Sequence, residues 1–424
     1  MGDVNDPVAV VLERVYRSEW GRIVATVIGV TGDWDLAEEC ASDAFARALE
    51  RWPRDGIPDK PGAWLTTTAR NRALDRLRRC GVETTKLLLQ AMTNAHDPDD
   101  PNARDDGVED SGIGDDQLRL IFTCCHPALA FEARVALTLR TLTGLSTAEI
   151  AHAFMVPEAT MAKRLVRAKA KIRNAAIAYR VPPGHLLPDR LHGVLGVVYL
   201  LFNEGYDASA GSQHVRDSLC VEAIRLARLL VELMPDEPET GGLLALLTFH
   251  YARRPARTNP AGDLVVLEDQ DRTVWDHNLV ADAVAILDAA LRRREPGPYQ
   301  VQAAIAACHA TAPTAVDTEW PQIARLYREL YQQMPTPIVA LNHAVAIAMA
   351  DGPVVGLAHI DRLGLNDSLA GYHLLHATRA DLYRRLGHHN QAAAAYEQAI
   401  VLTTSDTERR YLTGRLHELR SRAT

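Results

Sequence analysis

The sequence predicts an all-α protein, and three observations carry that expectation. Apolar residues recur at helical spacing near the start of the chain, as in Val8, Val11, Leu12, Val15 and Tyr16. Ser146 and Glu149 form an S-x-x-E capping box ahead of another apolar-periodic run, which marks a helix start. Beyond VPPGHLLPDR the chain is rich in Ala, Leu and Arg and lacks alternating strand runs. A chain of 424 residues has room for about two to four domains.

Composition narrows the function classes. Hydrophobic residues make up 47% and charged residues 24%, a globular balance. The net charge of −8 argues against a general DNA coater, so any nucleic-acid surface must be local. The longest apolar run, Val194–Phe202, is far short of the roughly 20 residues a membrane span needs, so no membrane partner is expected. The start MGDVNDP lacks a basic-then-apolar pattern, and the six cysteines are scattered without a CxxC pair. Both features suit a reduced, cytoplasmic setting.

Residues 6–50 read as two helices. Thr31-Gly32-Asp33 breaks the first, and Asp33 or Asp35 caps the next. The second, DWDLAEECASDAFARALERW, carries Leu36, Cys40, Ala44, Phe45 and Leu49 on one side. Asp35, Glu38, Glu39 and Asp43 cluster in its N-terminal half. The helix dipole alone favours acids there; an acidic docking face for a basic partner is the sharper reading. Spacing does not choose between them.

A Pro/Gly loop, Pro53–Gly62, leads into PGAWLTTTARNRALDRLRR. Trp64, Leu65, Ala69, Ala73, Leu74 and Leu77 line one face. Thr66, Thr67, Arg70, Asn71, Arg72, Arg76, Arg78 and Arg79 supply the rest, with Asp75 the only acid. Hydroxyl, amide, aromatic and arginine groups on one helix suit single-stranded or melted DNA. The plainer reading keeps Trp64 in the core. Residues 94–116, which include HDPDDPNARDDGVEDSGIGDD, are too acidic and too poor in apolar groups to bury a core and read as a flexible linker. Helices follow at Gln117–Phe122 and Phe131–Thr141. Cys124-Cys125-His126 lacks further ligands at zinc spacing, so it reads as a packed turn rather than a metal site.

Gly144–Arg173 reads as two short helices joined by a tight turn. Ile150, Ala151 and Phe154 face a core from the first. Pro157 ends that helix and suits the first turn of the second. The second turns Val156, Met161 and Leu165 inward and Glu158, Thr160, Lys163, Arg164 and Arg167 outward, and Lys169, Lys171 and Arg173 continue the basic run. A short helix that begins at a proline and becomes basic suits a major-groove reader, against the plainer reading of a solvated helix hairpin.

The segments DLAEECASDAF, PGAWLTTTARNRALDRLRR and GLSTAEIAHAFMVPEATMAKRLVRAKAKI, in that order around a linker, resemble the sigma-70 family, and more closely its extracytoplasmic-function (ECF) group. Ser42 and Met155 depart from it, standing where the family usually has Gln and Gly. The resemblance implies sigma domain 2 over residues 6–80, a linker over 81–116, sigma domain 4 over 117–179 and a C-terminal helical-repeat domain over 189–424. By it, Asp35, Glu38, Glu39, Asp43 and Phe45 fall in the segment that docks on core RNA polymerase. Trp64, Thr67, Arg70, Asn71, Arg72, Arg76, Arg78 and Arg79 fall where the promoter −10 element is melted and read. Glu158, Thr160, Lys163, Arg164, Arg167 and Lys169 fall on the helix that reads the −35 element.

ECF proteins normally end near residue 180, whereas this chain continues for more than 240 residues. Within HATRADLYRRLGHHNQAAAAYEQAIVL, Ala380, Tyr383, Gly387, Ala392, Tyr396 and Ala399 match the small/large spacing of a tetratricopeptide repeat, with Thr404 replacing its closing proline. Degenerate helix pairs precede it at Ser218–Arg254, Asp276–Ala310 and Ile323–Ala350. The layout resembles the ECF subgroup with a fused tetratricopeptide-like extension, which implies a regulatory tail offering a protein partner or an intramolecular docking surface. Two polar clusters, Asn203-Glu204-Gly205-Tyr206 and Asp269-Gln270-Asp271-Arg272 with Trp275 and Asp276, read as caps and ion pairs ahead of a ligand or partner pocket. Neither supplies a nucleophile–base–orienter set, so no catalytic residue and no cofactor is expected. The expected function is a transcription initiation factor acting with core RNA polymerase and promoter DNA. The rivals are a helix-turn-helix regulator acting on duplex DNA alone and an enzyme carried by the C-terminal half.

Overall fold

The computed structural model describes residues 7–79, 111–154, 156–206, 213–259, 263–403 and 405–423, and no strand occurs among them. The chain divides into two compact units, Met1–Leu200 and Leu201–Thr424.

In the first unit, α1 (Pro7–Thr31), α2 (Trp34–Asp55) and α3 (Pro61–Arg79) pack pairwise into a bundle. Gly32, at φ 66°, ends α1 in a left-handed turn. Asp33 then caps α2, its carboxylate accepting from the Asp35 and Leu36 N–H groups at 2.9 and 3.1 Å. Ala37, Ala41, Ala44 and Ala48 form the fully buried stripe of α2, letting its axis come close to its neighbours. Trp20, Phe45 and Trp52 fill the remaining space. Leu49, expected on the inward side, is 56% exposed. The buried stripe runs through Ala48 and Trp52, and one further residue rotates Leu49 about 100° away from it.

After α4 (Ser111–Cys124) comes α5 (Phe131–Thr138), which passes directly into a π-helical turn, Leu139–Thr143. Residues 111–116, expected to belong to the linker, are instead the start of α4; the Tyr179 hydroxyl lies 3.1 Å from the Asp116 carbonyl oxygen and holds this end down. The rest of the expected linker, 81–110, lies outside the described residues. Cys124 and Cys125 are buried at the α4–α5 turn, where burial pushes the Cys125 thiol up to about 11.

The helix-turn-helix consists of α6 (Thr147–Ala153) and α7 (Glu158–Asn174). Both bonds of its capping box are made: the Ser146 N–H donates to Glu149 at 2.7 Å, and the Glu149 N–H donates to Ser146 Oγ at 3.1 Å. Pro157 sits one position earlier than expected, as the residue before α7 rather than within its first turn. Met161, Leu165, Ala168 and Ile172 form the buried face of α7. Then comes α8 (Leu187–Tyr206).

The second unit is a succession of helix hairpins. The degenerate pairs are α9 (Gln213–Leu233) with α10 (Pro238–Ala252), α11 (His277–Leu291) with α12 (Pro298–Ala310), and α13 (Trp320–Gln333) with α14 (Pro337–Asp351). The helices α15 (Pro353–Arg362) and α16 (Leu365–Ser368) lead to the tetratricopeptide-like pair, α17 (His373–Arg385) and α18 (His389–Leu402), closed by α19 (Asp406–Ala423). Ala380, Ala392, Ala399 and Tyr396 are buried between these last helices, and Gly387, at φ 75°, makes the turn. Most helices pack on a sequence neighbour, as in a repeat stack, but α12 packs chiefly on α10, two helices back, and only lightly on its expected partner α11. Among the described residues no helix is long and apolar enough to cross a membrane.

One joint in the stack is capped from outside. The Glu239 carboxylate on α10 accepts from the Tyr299 and Gln300 N–H groups at the start of α12, at 2.9 and 3.1 Å. Gly242, on the same helix, sits where a Cβ would meet the Gln300 backbone nitrogen at 2.6 Å. Glu239→Ala leaves both donors without their acceptor and should lower stability by about 1–3 kcal/mol, measured by urea denaturation. Glu239→Gln, which keeps an acceptor without the charge, should recover part of that loss.

Candidate nucleic-acid interface

The basic faces follow from helical periodicity. On α3, Leu65, Ala69 and Ala73 are buried, which turns Thr67, Arg70, Asn71, Arg78 and Arg79 to solvent. Trp64 is half-buried and meets Trp52 edge-on, with ring centroids 5.7 Å apart. It therefore packs while remaining partly open to solvent.

Arg72 and Arg76 are drawn back toward α2. Arg72 Nε donates to Asp43 at 3.0 Å, Arg76 Nη2 donates to the same carboxylate at 3.1 Å, and Arg76 also pairs with Glu39. The hydrogen bond to Glu39 raises the Arg76 pKa further above its ordinary value. Four residues assigned to two different jobs by resemblance thus form one ionic web across the α2–α3 contact. These carboxylates and guanidiniums remain partly exposed, so the web is worth little to stability and is open to exchange for other partners.

On α7, Glu158, Thr160, Lys163 and Arg167 are exposed and Arg164 is half-buried. Arg167 Nε donates to the Lys163 carbonyl at 3.2 Å, which orients it along the helix. Val166, 65% exposed among these cations, was not singled out by charge pattern; an apolar group there suits contact with a thymine methyl.

Lys169 stands apart from that face. Its side chain is only 11% exposed and lies 2.8 Å from both Asp35 and Glu38. Glu38, equally enclosed, also accepts from Arg140 Nε at 3.1 Å. Arg140 in turn donates to the Leu145 carbonyl at 3.2 Å. Alongside, the Tyr16 hydroxyl donates to the Gly144 carbonyl at 2.9 Å, and Gly21 gives the room that the Leu142 carbonyl oxygen occupies. The acidic start of α2 and the helix-turn-helix are therefore joined by buried charge. Asp35 keeps a 71% exposed side chain and Glu39 remains outward, whereas Phe45 lies in the core against Tyr16 and Trp20. Arg140 was missed because a single arginine in the window LTLRTLTG looks like an interruption of an apolar run.

Among the described residues, no group of three or more His, Cys, Asp or Glu is placed to hold a metal ion. Nor does either basic face bring a nucleophile and a base together.

Comparison with known proteins gives three family matches: Sigma-70 region 2 over residues 15–81, Sigma-70 region 4 over 119–172, and a family of unknown function over 190–291. An uncharacterized protein of Rhizobium meliloti (strain 1021) is 43% identical over 385 residues, covering 91% of this chain and 90% of its own. Proteins described as probable ECF RNA polymerase sigma factor SigI, from two strains of Mycobacterium tuberculosis, are 27% identical over 179 residues. That match covers 42% of this chain and 59% of theirs. No solved structure matches the chain.

Neutralising either Glu38 (Glu38→Gln) or Lys169 (Lys169→Met) removes one of the partners of a largely enclosed charge, leaving Lys169 with Asp35 or Glu38 with Arg140, and should cost about 2 kcal/mol. The double variant should lose less than the sum, leaving a coupling of about 1–3 kcal/mol in urea denaturation.

Proposed function

This chain belongs to the sigma-70 family, in its ECF group, and from that membership we propose that it is a cytoplasmic initiation factor that brings core RNA polymerase to two-element promoters. The observation that carries the reading is the pair of solvent-facing basic helix faces, α3 and α7, built into one unit with the acidic start of α2. In this reading Asp35, Glu38, Glu39 and Asp43 meet core polymerase. Thr67, Arg70, Asn71, Arg78 and Arg79, with Trp64, hold melted −10 DNA. Glu158, Thr160, Lys163, Arg164 and Arg167 read the −35 duplex. The protein catalyses no covalent step of its own. It lowers the cost of melting by binding the separated strand, through stacking and phosphate neutralisation.

The ionic contacts add a condition. Glu38 cannot serve core polymerase while it holds Lys169 and Arg140, so engagement must exchange those partners. Lys169 then becomes available to DNA phosphate. The C-terminal repeats modulate this exchange, in keeping with a stack whose surfaces suit protein contacts.

Run-off transcription with purified core polymerase, on the region upstream of the protein's own reading frame, tests the reading. Full-length protein should direct a defined transcript. Equal DNA binding without polymerase and no transcript would instead assign a free-standing regulator. A chain ending near Tyr179 should differ from the full-length protein in transcript yield if the repeats modulate activity. Arg167→Ala should reduce promoter binding by the polymerase complex. If Arg167 contacts phosphate, the salt slope should fall by about one; if it reads a base edge, discrimination at that position should fall by about 1–3 kcal/mol.

A further inference from the structure

The two polar stretches read in the sequence as caps meet in the second unit around a third element. Asp271 and Asp276 do cap, accepting from the N–H groups of Thr273 and of Asn278 and Leu279. Tyr206 and Arg272 do something else. Arg253, at the end of α10, donates from Nε to the Tyr206 hydroxyl at 3.3 Å, and its Nη2 lies 2.9 Å from His250 Nδ1. The Arg257 guanidinium lies 3.7 Å over the Tyr206 ring and bonds the Tyr206 carbonyl. Arg272 donates to the His309 and Ala312 carbonyls at 2.5 and 2.7 Å and sits over the Trp275 ring.

Three guanidiniums thus share one region, yet none has a carboxylate within ion-pair distance among the described residues. Elsewhere in the same unit Arg379, Arg384 and Arg385 are all paired with acids. The nearest compensation is the longer-range field of Asp317 on Arg272. Two buried donors at this place, Arg272 Nε and the Trp275 indole N–H, have no acceptor, and Trp275 is itself only 4% exposed. Burial, with Arg253 and Arg272, lowers His309 to about 4; burial, with Arg253, Arg257 and His309, also holds His250 well below its ordinary value. Both imidazoles are neutral at physiological pH, so the positive charge comes from the arginines. Tyr206, His250, Arg253, Arg257, Arg272 and His309 are all partly exposed, so solvent reaches the cluster.

Clustered like charges repel one another, and buried donors without acceptors are costly. Arginine forks with aromatic walls are the side chains that recognise planar or tetrahedral oxyanions. We propose that this cluster is a binding site for a small oxyanion ligand, a phosphate or carboxylate compound, in the C-terminal unit. Its occupant would neutralise the arginines and tie α8, α10 and the Arg272 turn together.

The test uses the full-length protein. Thermal melting and isothermal titration would be run with sodium phosphate and with sodium succinate, each against sodium chloride at matched ionic strength. Saturable stabilisation by either salt supports the site; phosphate alone assigns a phosphate ligand, and succinate alone a carboxylate. Arg253→Gln and Arg257→Gln should each weaken binding about tenfold or more, while Arg325→Gln, an exposed arginine outside the cluster, should leave it unchanged. Should the arginine variants not fold, wild-type protein still decides: an anion here must raise the His309 imidazole pKa, read by NMR and assigned with His309→Gln. Absence of saturable binding by both anions, equal binding by folded variants, or a His309 titration indifferent to the anion would each overturn the proposal.

Discussion

Glu38 is a carboxylate with an 11% exposed side chain, and the first unit is arranged around keeping it partnered. An enclosed charge without a counter-ion would cost several kcal/mol, so Lys169 and Arg140 must both arrive at the same point. Lys169 comes from α7 and Arg140 from the π-helical turn after α5, so two elements are referred to one spot on α2. Tyr16 and Gly21 complete the contact from α1, where the missing side chain lets backbone meet backbone. The acidity proposed to meet an outside partner on α2 is the same acidity that holds the helix-turn-helix in place.

Helical periodicity lets fold and recognition share a helix without conflict. On α7 the positions 161, 165, 168 and 172 serve the core, and the positions between them carry the exposed cations. On α3 the division falls the same way, with Leu65, Ala69 and Ala73 inside. The web of Arg72 and Arg76 with Asp43 and Glu39 marks the boundary between the two faces. Such half-exposed pairs orient side chains more than they stabilise the bundle.

What the sequence reveals here is local, and what it hides is distant. The Ser146–Glu149 box, the Asp33 cap and the Gly387 turn are complete within a few residues, and each is present. The helix pairs of the second unit are legible because small and large residues alternate at fixed spacing. Lys169 reads like Lys163 until its partners are known, and those lie on α2, far away in the chain. Leu49 and Ala48 differ by one step of about 100°, and the bulkier apolar side chain falls on the outward side of that step while the small alanine packs inside. Residues 111–116 look like linker because glycine and aspartate dominate them, whereas the contact that Tyr179 makes with this helix start comes from far along the chain. The convergence of Tyr206, Arg253 and Arg272 is likewise invisible until three separate segments are brought together.

The Glu239 bridge gives the repeat stack an uneven grain. Toward its end, α17, α18 and α19 close a core of their own, and such modules can fray one at a time. At the front, α12 takes its N-terminal acceptor from α10, so α12 is incomplete without α10. That block should open in a single cooperative event. Loosening the outer repeats therefore need not disturb the α10–α12 block, and the two ends of the stack should open independently.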